Sequence, residues 1–350
     1  MKRKKNLLST IAACFLFGLL TFGANAYAAE RTIALSKQYD WKMASIFPKG
    51  HTENIVLLDF IQKLEQRTNG KVKITIHEST LGHPKNYWEM TEGNAVQFSL
   101  LAEAFNSGRM VVGCLLNLPF EIPGMKAQDE VVEAWLKAGY LRELTDHFKV
   151  FNLCTPEPMY FFTTANNKIE KLEDFKGKKI RAASRITGQI VTSLGATGVS
   201  IPGGETYMAL QTGGLDGTTA AITMVYDLKW YEQLKNVLKL PVSVSNVLFL
   251  CAMNLPTWNG LPDELKTLME ETAKEAKDTH LKIRINSYEE SWKKMSKVGV
   301  NINTISNQEF ERIKNATKIV AEEYVKTNSG KGPVREALKL MREIAARNSK

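Results

Sequence analysis

The chain has 350 residues, 44% hydrophobic and 24% charged, with a formal net charge of +9. Lys2, Arg3, Lys4 and Lys5 stand in a leader whose removal lowers that charge to about +5, and both signs mix along residues 262–297, which argues against a nucleic-acid role and leaves a mildly basic surface suited to anionic solutes. The roughly 320 residues beyond the leader exceed the size at which single cores divide, so two lobes are expected.

Residues 1–26 read as a signal peptide: a basic start, an apolar run from Leu7 to Phe22, and a small-x-small cleavage site at Ala24-Asn25-Ala26 or Ala26-Tyr27-Ala28. Export is therefore expected. A lipoprotein signal at Cys14 and a retained membrane anchor are the competing readings, and no later apolar run approaches the roughly 18 residues that span a bilayer. Tyr39 to Ala44 predicts a strand. Thr52 can cap a helix with Val56, Leu57, Phe60, Ile61 and Leu64 on one face, stopped by Asn69-Gly70. Alternating Val72, Ile74 and Ile76 make Lys71 to His77 a strand, and a helix near Lys85 to Glu92 with a strand near Val96 to Leu101 completes another βα unit. Proline-rich Cys154 to Pro158 marks a crossover into a second lobe that starts with a strand from Met159 to Thr164.

Lys179 to Ala182 predicts a short strand ending near Arg181. Ser184 or Thr187 can cap the next helix, whose Ile190, Val191 and Leu194 form a stripe before Gly195. A strand at Val199 to Ile201 closed by Pro202, then a helix from about Glu205 to Thr212 burying Tyr207 and Leu210, continue the alternation. Such alternation predicts parallel α/β layers, which bind ligands beyond the carboxyl ends of their strands. The chain is expected to return to the first lobe near Leu240 to Asn246, since LPVSVSNVLFLCAMN contains a β-branched run typical of a buried strand. From Pro262 an apolar stripe of Leu265, Leu268, Met269, Ala273 and Ala276, continued by Ile285, Tyr288, Trp292 and Met295 up to Gly299, predicts one helix. About 35 residues of helix span roughly 50 Å, enough to lie across both lobes.

Cys114, Cys154 and Cys251 have no CxxC spacing and read as buried thiols, with one disulfide as the alternative. His51, His77, His83, His147 and His280 lack metal-site spacing. No nucleophile elbow, phosphate loop or dinucleotide fingerprint is present, and no cofactor is expected. From pattern alone Arg181 is either the solvated end of the Lys176, Lys178, Lys179 charge run or a ligand contact.

Several motifs decide between these readings. GKKIR at 177–181, LGAT at 194–197, ETYMALQTG at 205–213 and LDG at 215–217, preceded by TNGKVKITIHESTLG and LPFEIPG and followed by YEQLKNVL at 231–238, resemble the DctP-type solute-binding proteins of tripartite ATP-independent periplasmic (TRAP) transporters. The resemblance implies a fold of two α/β lobes, hinge strands and a long helix crossing both. It divides the chain into lobe I at 38–157 plus 246–285, lobe II at 158–245 plus 286–340, and a tail at 341–350. It makes the YEQLKNVL segment a helix.

The resemblance also makes Arg181 the residue that grips the ligand's acid group, two parallel N–H donors meeting two oxygens. Phe161 stands where some relatives carry a second arginine, Gly203 where some carry an aromatic ring, and Ala220 near their asparagine, so one acidic group and a reshaped wall are expected. By position Glu103, Phe105 and Asn106 line the first lobe, and Ser184, Thr219, Thr223 and Tyr226 the second, while Trp88, beside Tyr87, packs in the core or at the rim or stacks on the ligand. The implied protein is a monomeric receptor, not an enzyme, that closes on a small monocarboxylate with nanomolar to micromolar affinity and passes it to the membrane subunits of a TRAP permease. A small sulfonate is an alternative ligand; a periplasmic enzyme and a sensor's ligand-binding protein are alternative classes.

Overall fold

A parallel pair opens the first lobe. In the computed structural model, which describes residues 31–349 apart from Pro202, β1 (Tyr39–Ser45) runs in register with β2 (Val72–Glu78) from Tyr39↔Val72 to Ser45↔Glu78. The leader, and the proline expected to close a strand, lie outside the described residues. Between them α1 (Thr52–Arg67) buries Val56, Leu57, Phe60 and Leu64, as its 3.6-residue period requires. Its cap is His51 rather than Thr52: the imidazole Nδ1 accepts from the Glu53 amide, which frees the Thr52 hydroxyl for another partner. The helix ends where Asn69 and Gly70 adopt φ of 51° and 74°.

After α2 (Tyr87–Glu92) come β3 (Phe98–Ala102), α3 (Glu103–Asn106), a 3₁₀ turn at Gly113–Asn117, α4 (Met125–Lys137), α5 (Arg142–Thr145) and β4 (Phe148–Phe151). The second lobe holds β5 (Met159–Thr164), β6 (Lys179–Arg181), α6 (Arg185–Ser193), β7 (Thr197–Val199), α7 (Gly203–Gln211), β8 (Gly217–Ala221), α8 (Ile222–Asp227) and β9 (Leu234–Leu238). β10 (Phe249–Asn254), α9 (Leu255–Asn259), α10 (Asp263–Lys297), β11 (Asn301–Asn303), α11 (Asn307–Asn328) and α12 (Val334–Asn348) complete the chain. Two mixed sheets result, ordered β2-β1-β3-β10-β4 and β11-β9-β5-β8-β6-β7. Residues 152–158 and 239–248 carry the chain between them. This is the expected architecture of two α/β lobes joined by crossing segments and one long helix.

Gly217 shows why sequence is constrained in this second sheet. A Cβ there would stand 2.3 Å from the Phe162 carbonyl oxygen, so β5 and β8 can pair at this separation only over glycine. Helix α10 covers 35 residues and packs Leu265, Leu268, Met269 and Ala276 into the first lobe's core, then Trp292 and Met295 into the second's. Ile285 does not continue the stripe; it is 38% exposed, and His280 and Arg284 are buried at the midpoint instead. A straight helix leaving one core for another passes polar crossing segments between them, and polar partners replace apolar ones there.

Leu240 to Asn246 is the crossing segment, with one bridge, Met159↔Ser245, and the strand of the LPVSVSNVLFLCAMN run is β10. Three further expectations are corrected. The YEQLKNVL segment is a 3₁₀ turn followed by β9, whose Leu234, Val237 and Leu238 are buried between strands. In α7 the buried side chains are Thr206 and Leu210, while Tyr207 is half-buried and bonds Glu232 through its hydroxyl. Residues past 340 are not a tail: α12 buries Met341 and Ile344, and the Trp135 indole N–H donates to the Ala337 carbonyl at 2.9 Å, fixing α12 on α4. Cys114, Cys154 and Cys251 are all buried free thiols.

Candidate functional site

The carboxyl ends of β1 and β3 in one sheet and of β6 and β8 in the other lead into the segments that touch between lobes. The Thr52 hydroxyl at the start of α1 donates to Asp227 at the end of α8, at 2.9 Å. The Ser184 hydroxyl donates to Asn117 Oδ1 at 2.6 Å. On α10, Arg284 pairs with Glu53 at 2.7 Å and lies 3.6 Å from Glu157 in the first crossing segment.

Arg181 is the last residue of β6, in register with Val199 on one side and Thr218 on the other. It is only 7% exposed, yet no carboxylate among the described residues pairs with it. Its Nε donates to the Ile201 carbonyl at 3.2 Å, and its guanidinium carbon lies 5.9 Å from the Trp230 ring centre. The strand expected at Val199 to Ile201 ends at Val199, so the Ile201 carbonyl is available to Arg181. Burial without a counter-charge lowers this guanidinium to about 10. The two terminal nitrogens, which carry the parallel donors, have no acceptor among the described residues and are not sealed from solvent, which leaves both donors open to an incoming anion.

Three residues on, Ser184 caps α6, accepting from the Thr187 amide at 3.2 Å. Asn117 in turn donates to Glu103 Oε1 at 2.7 Å, and Glu103 Oε2 accepts from the Leu248 amide at 2.7 Å. Burial pushes the Glu103 carboxyl up to about 7, against the pull of those two donors. Asn117, which sequence reasoning did not single out, is therefore the link between two predicted residues. Its only sequence signal is its place directly before the LPFEIPG element. A cavity of about 590 Å³ adjoins this link, bounded by Glu103, Asn117, Ser184, Arg185, Gln189 and Tyr324, with Arg181 outside its wall.

The other predicted residues divide by position. Thr219 is fully buried beside Arg181 and donates to the Arg181 carbonyl at 3.3 Å; Thr223 gives its amide and hydroxyl to Glu157 Oε2 at 3.2 and 2.7 Å. Tyr226 is half-buried against Tyr231, ring centres 5.7 Å apart. Phe105 is 37% exposed at the first-lobe wall, edge-on to His83, while Asn106 turns inward to the Ala102 carbonyl. Phe161 and Trp88 belong to the core: Phe161 is fully buried 4.9 Å from Phe175, and Trp88 packs on Phe148 with the Arg109 guanidinium 5.0 Å away. A Cβ on Gly203 would stand 3.1 Å from Met224 Cε, so a larger side chain there would have to displace the end of the Met224 side chain.

The Arg284 cluster is also buried. Burial raises the Glu53 carboxyl and neighbouring Arg284 lowers it, and burial holds His51 and His280 at about 4. Glu53 Oε2, Glu157 Oε1, Arg284 Nε and His280 Nε2 have no hydrogen-bond partner among the described residues.

Comparison with known proteins places this arrangement. Residues 43–328 match the family described as bacterial extracellular solute-binding protein, family 7. The ectoine-binding periplasmic protein TeaA of Halomonas elongata is 23% identical over 302 residues, 84% of this chain and 86% of its own. A monocarboxylate 2-oxoacid-binding periplasmic protein of Nostoc is 27% identical over 268 residues, 69% of this chain and 67% of its own. Among solved structures, a marine metagenome TRAP solute-binding protein in complex with 3-hydroxybenzoate superposes with a TM-score of 0.80 at 20% identity, over 90% of this chain and 100% of that one. A Sulfitobacter TRAP solute-binding protein with bound β-D-galacturonate gives 0.77 at 18% identity, over 87% and 99%. With its two lobes, crossing segments and long bridging helix, the chain belongs to the family 7 bacterial extracellular solute-binding proteins, the DctP-type solute receptors of TRAP transporters.

Proposed function

We propose that this receptor captures a small organic monocarboxylate between its lobes, holds the acid group on Arg181, and delivers it without chemistry to a TRAP membrane permease after export through the 1–26 leader. The observation that carries the reading is the buried guanidinium of Arg181 with no carboxylate of the described residues beside it. One unpaired cation at the strand end matches one acid group, and Phe161 in the core leaves no second arginine at that position. Relatives and neighbours named for 2-oxoacids, 3-hydroxybenzoate and galacturonate support an acid as the ligand class.

Arg181 is one contributor among several. Micromolar affinity requires about 8 kcal/mol, whereas one hydrogen bond to a charged group supplies roughly 1.5 to 3. The remainder comes from closure of the lobes around the ligand, with Ser184, Thr219, Thr223, Tyr226, Glu103, Phe105 and Asn106 grouped near the carboxyl edges. Native mass spectrometry of freshly purified protein identifies whatever co-purifies, and titration calorimetry measures its affinity. A bound carboxylate of unchanged mass after long incubation is expected. A bound sulfonate would replace the carboxylate while keeping the Arg181 grip, a converted compound would indicate an enzyme, and a neutral or cationic ligand would overturn the reading.

A further inference from the structure

Nothing in the anion clamp itself explains why a fully buried asparagine and a fully buried glutamate should meet beside it. Asn117 ends the 3₁₀ turn before α4, and Glu103 begins α3; both have zero exposure. A buried amide and carboxylate are retained only where every polar atom finds a partner, and here they do so across the two lobes. Glu103 accepts from Leu248 in the second crossing segment and from Asn117, Asn117 accepts from Ser184, and Ser184 holds the first turn of α6 through Thr187. The loop between Arg181 and Ser184 is only two residues long, so fixing Ser184 fixes the direction in which β6 presents Arg181.

We propose that Asn117 is a positioning residue for ligand capture: by joining Glu103 of the first lobe to Ser184 of the second, it holds the Arg181 loop against the first lobe. The role is distinct from ligand contact. It rests on the Arg181 reading for its functional meaning, but its direct consequence is the lobe arrangement of the ligand-free protein.

Protonation offers a readout that a merely structural contact would not move. Above neutral pH the Glu103 carboxylate accepts from both donors; below it, one oxygen carries a proton and the relay loosens. The charged and titratable groups around it are Cys114 and Tyr324, which feel its charge, Glu143 beyond them, Arg185, Glu323, Lys326 and Lys331 at the cavity rim, and Lys85 on the turn beside α3.

Spin labels on Glu65→Cys in α1 and Gln211→Cys in α7, both exposed, report lobe separation by pulsed electron resonance, since the native cysteines are buried. In ligand-free protein at pH 8, Asn117→Ala is expected to lower the ratio of short to long distances about fivefold, the effect of one hydrogen bond. Lowering the pH from 8 to 6 shifts the unmutated protein the same way with a midpoint near 7, and Glu103→Gln abolishes that dependence. Asn117→Asp keeps the acceptor for Ser184 and raises the midpoint by placing a second carboxyl beside Glu103. An unchanged distance distribution in Asn117→Ala, or the same pH midpoint in Glu103→Gln, overturns the proposal. Because no ligand enters the measurement, a protein that binds no acid would refute the Arg181 reading alone.

Discussion

Replacing Arg181 with methionine separates a ligand-binding arginine from a structural one, because the two give opposite signs. At neutral pH the guanidinium is charged in both the folded and unfolded chain. Its fall to about 10 on burial therefore corresponds to roughly 3 kcal/mol against the folded state. Arg181→Met removes that cost and also loses the Nε bond to Ile201 and the contact with Trp230, about 1 kcal/mol each. The ligand-free protein should end about 1 kcal/mol more stable, a rise in Tm of roughly 2 °C at this chain length. Binding moves the other way: losing two charge-assisted bonds to a carboxylate costs about 3 to 6 kcal/mol, or at least a hundredfold in Kd. Scanning calorimetry of the ligand-free variant, with titration of the acid that co-purifies with the unmutated protein, reads both quantities. A Tm lowered by several degrees together with unchanged affinity would show that Arg181 is a structural residue and refute the argument.

Three further outcomes follow from the geometry. Thr52→Val removes the 2.9 Å bond to Asp227 between lobes and should weaken ligand affinity about two- to fivefold while increasing the ligand-free radius of gyration in small-angle scattering. Arg284→Met strands the buried Glu53 and Glu157 carboxylates and should cost about 3 to 5 kcal/mol in urea unfolding, with partial recovery when Glu53→Gln is added. The third concerns pH. Burial raises the Glu143 carboxyl to about 7, so the native state keeps a proton that the unfolded chain has released; its stabilising contribution is present below about pH 4.5 and lost as the pH rises to 7. His51 and His280, lowered to about 4, act oppositely: their contribution is present above about 6.5 and lost as the pH falls to 4. Glu143→Gln should therefore gain roughly 3 kcal/mol in stability between pH 4.5 and 7 relative to the unmutated protein, and an unchanged difference across that window would count against the burial argument.

Much of the fold was legible because periodicity survives in the sequence. The stripe of α1, the alternation of β2 and the long span of α10 are local patterns, and each marks a face that must be buried wherever it lands. Segments whose conformation depends on non-local partners were misread. The helix at YEQLKNVL came from the resemblance and not from a local pattern, and pairing with β5 and β11 makes its second half a strand. Residues 341–348 look like a tail until α4 supplies the groove that buries Met341 and Ile344.

The site divides along the same line. Residue types and spacing alone placed an arginine at the end of a strand near position 181 and a capped helix after it; these are matters of local backbone geometry. Packing is what buries this arginine with no carboxylate partner among the described residues, turns Phe161 and Trp88 into the core, and brings Met224 Cε close to Gly203. Asn117 is the clearest case. Its meaning depends on Glu103 and Ser184, residues 14 and 67 positions away in the chain, and hydrogen bonds between such distant groups exist only after both lobes have folded and met.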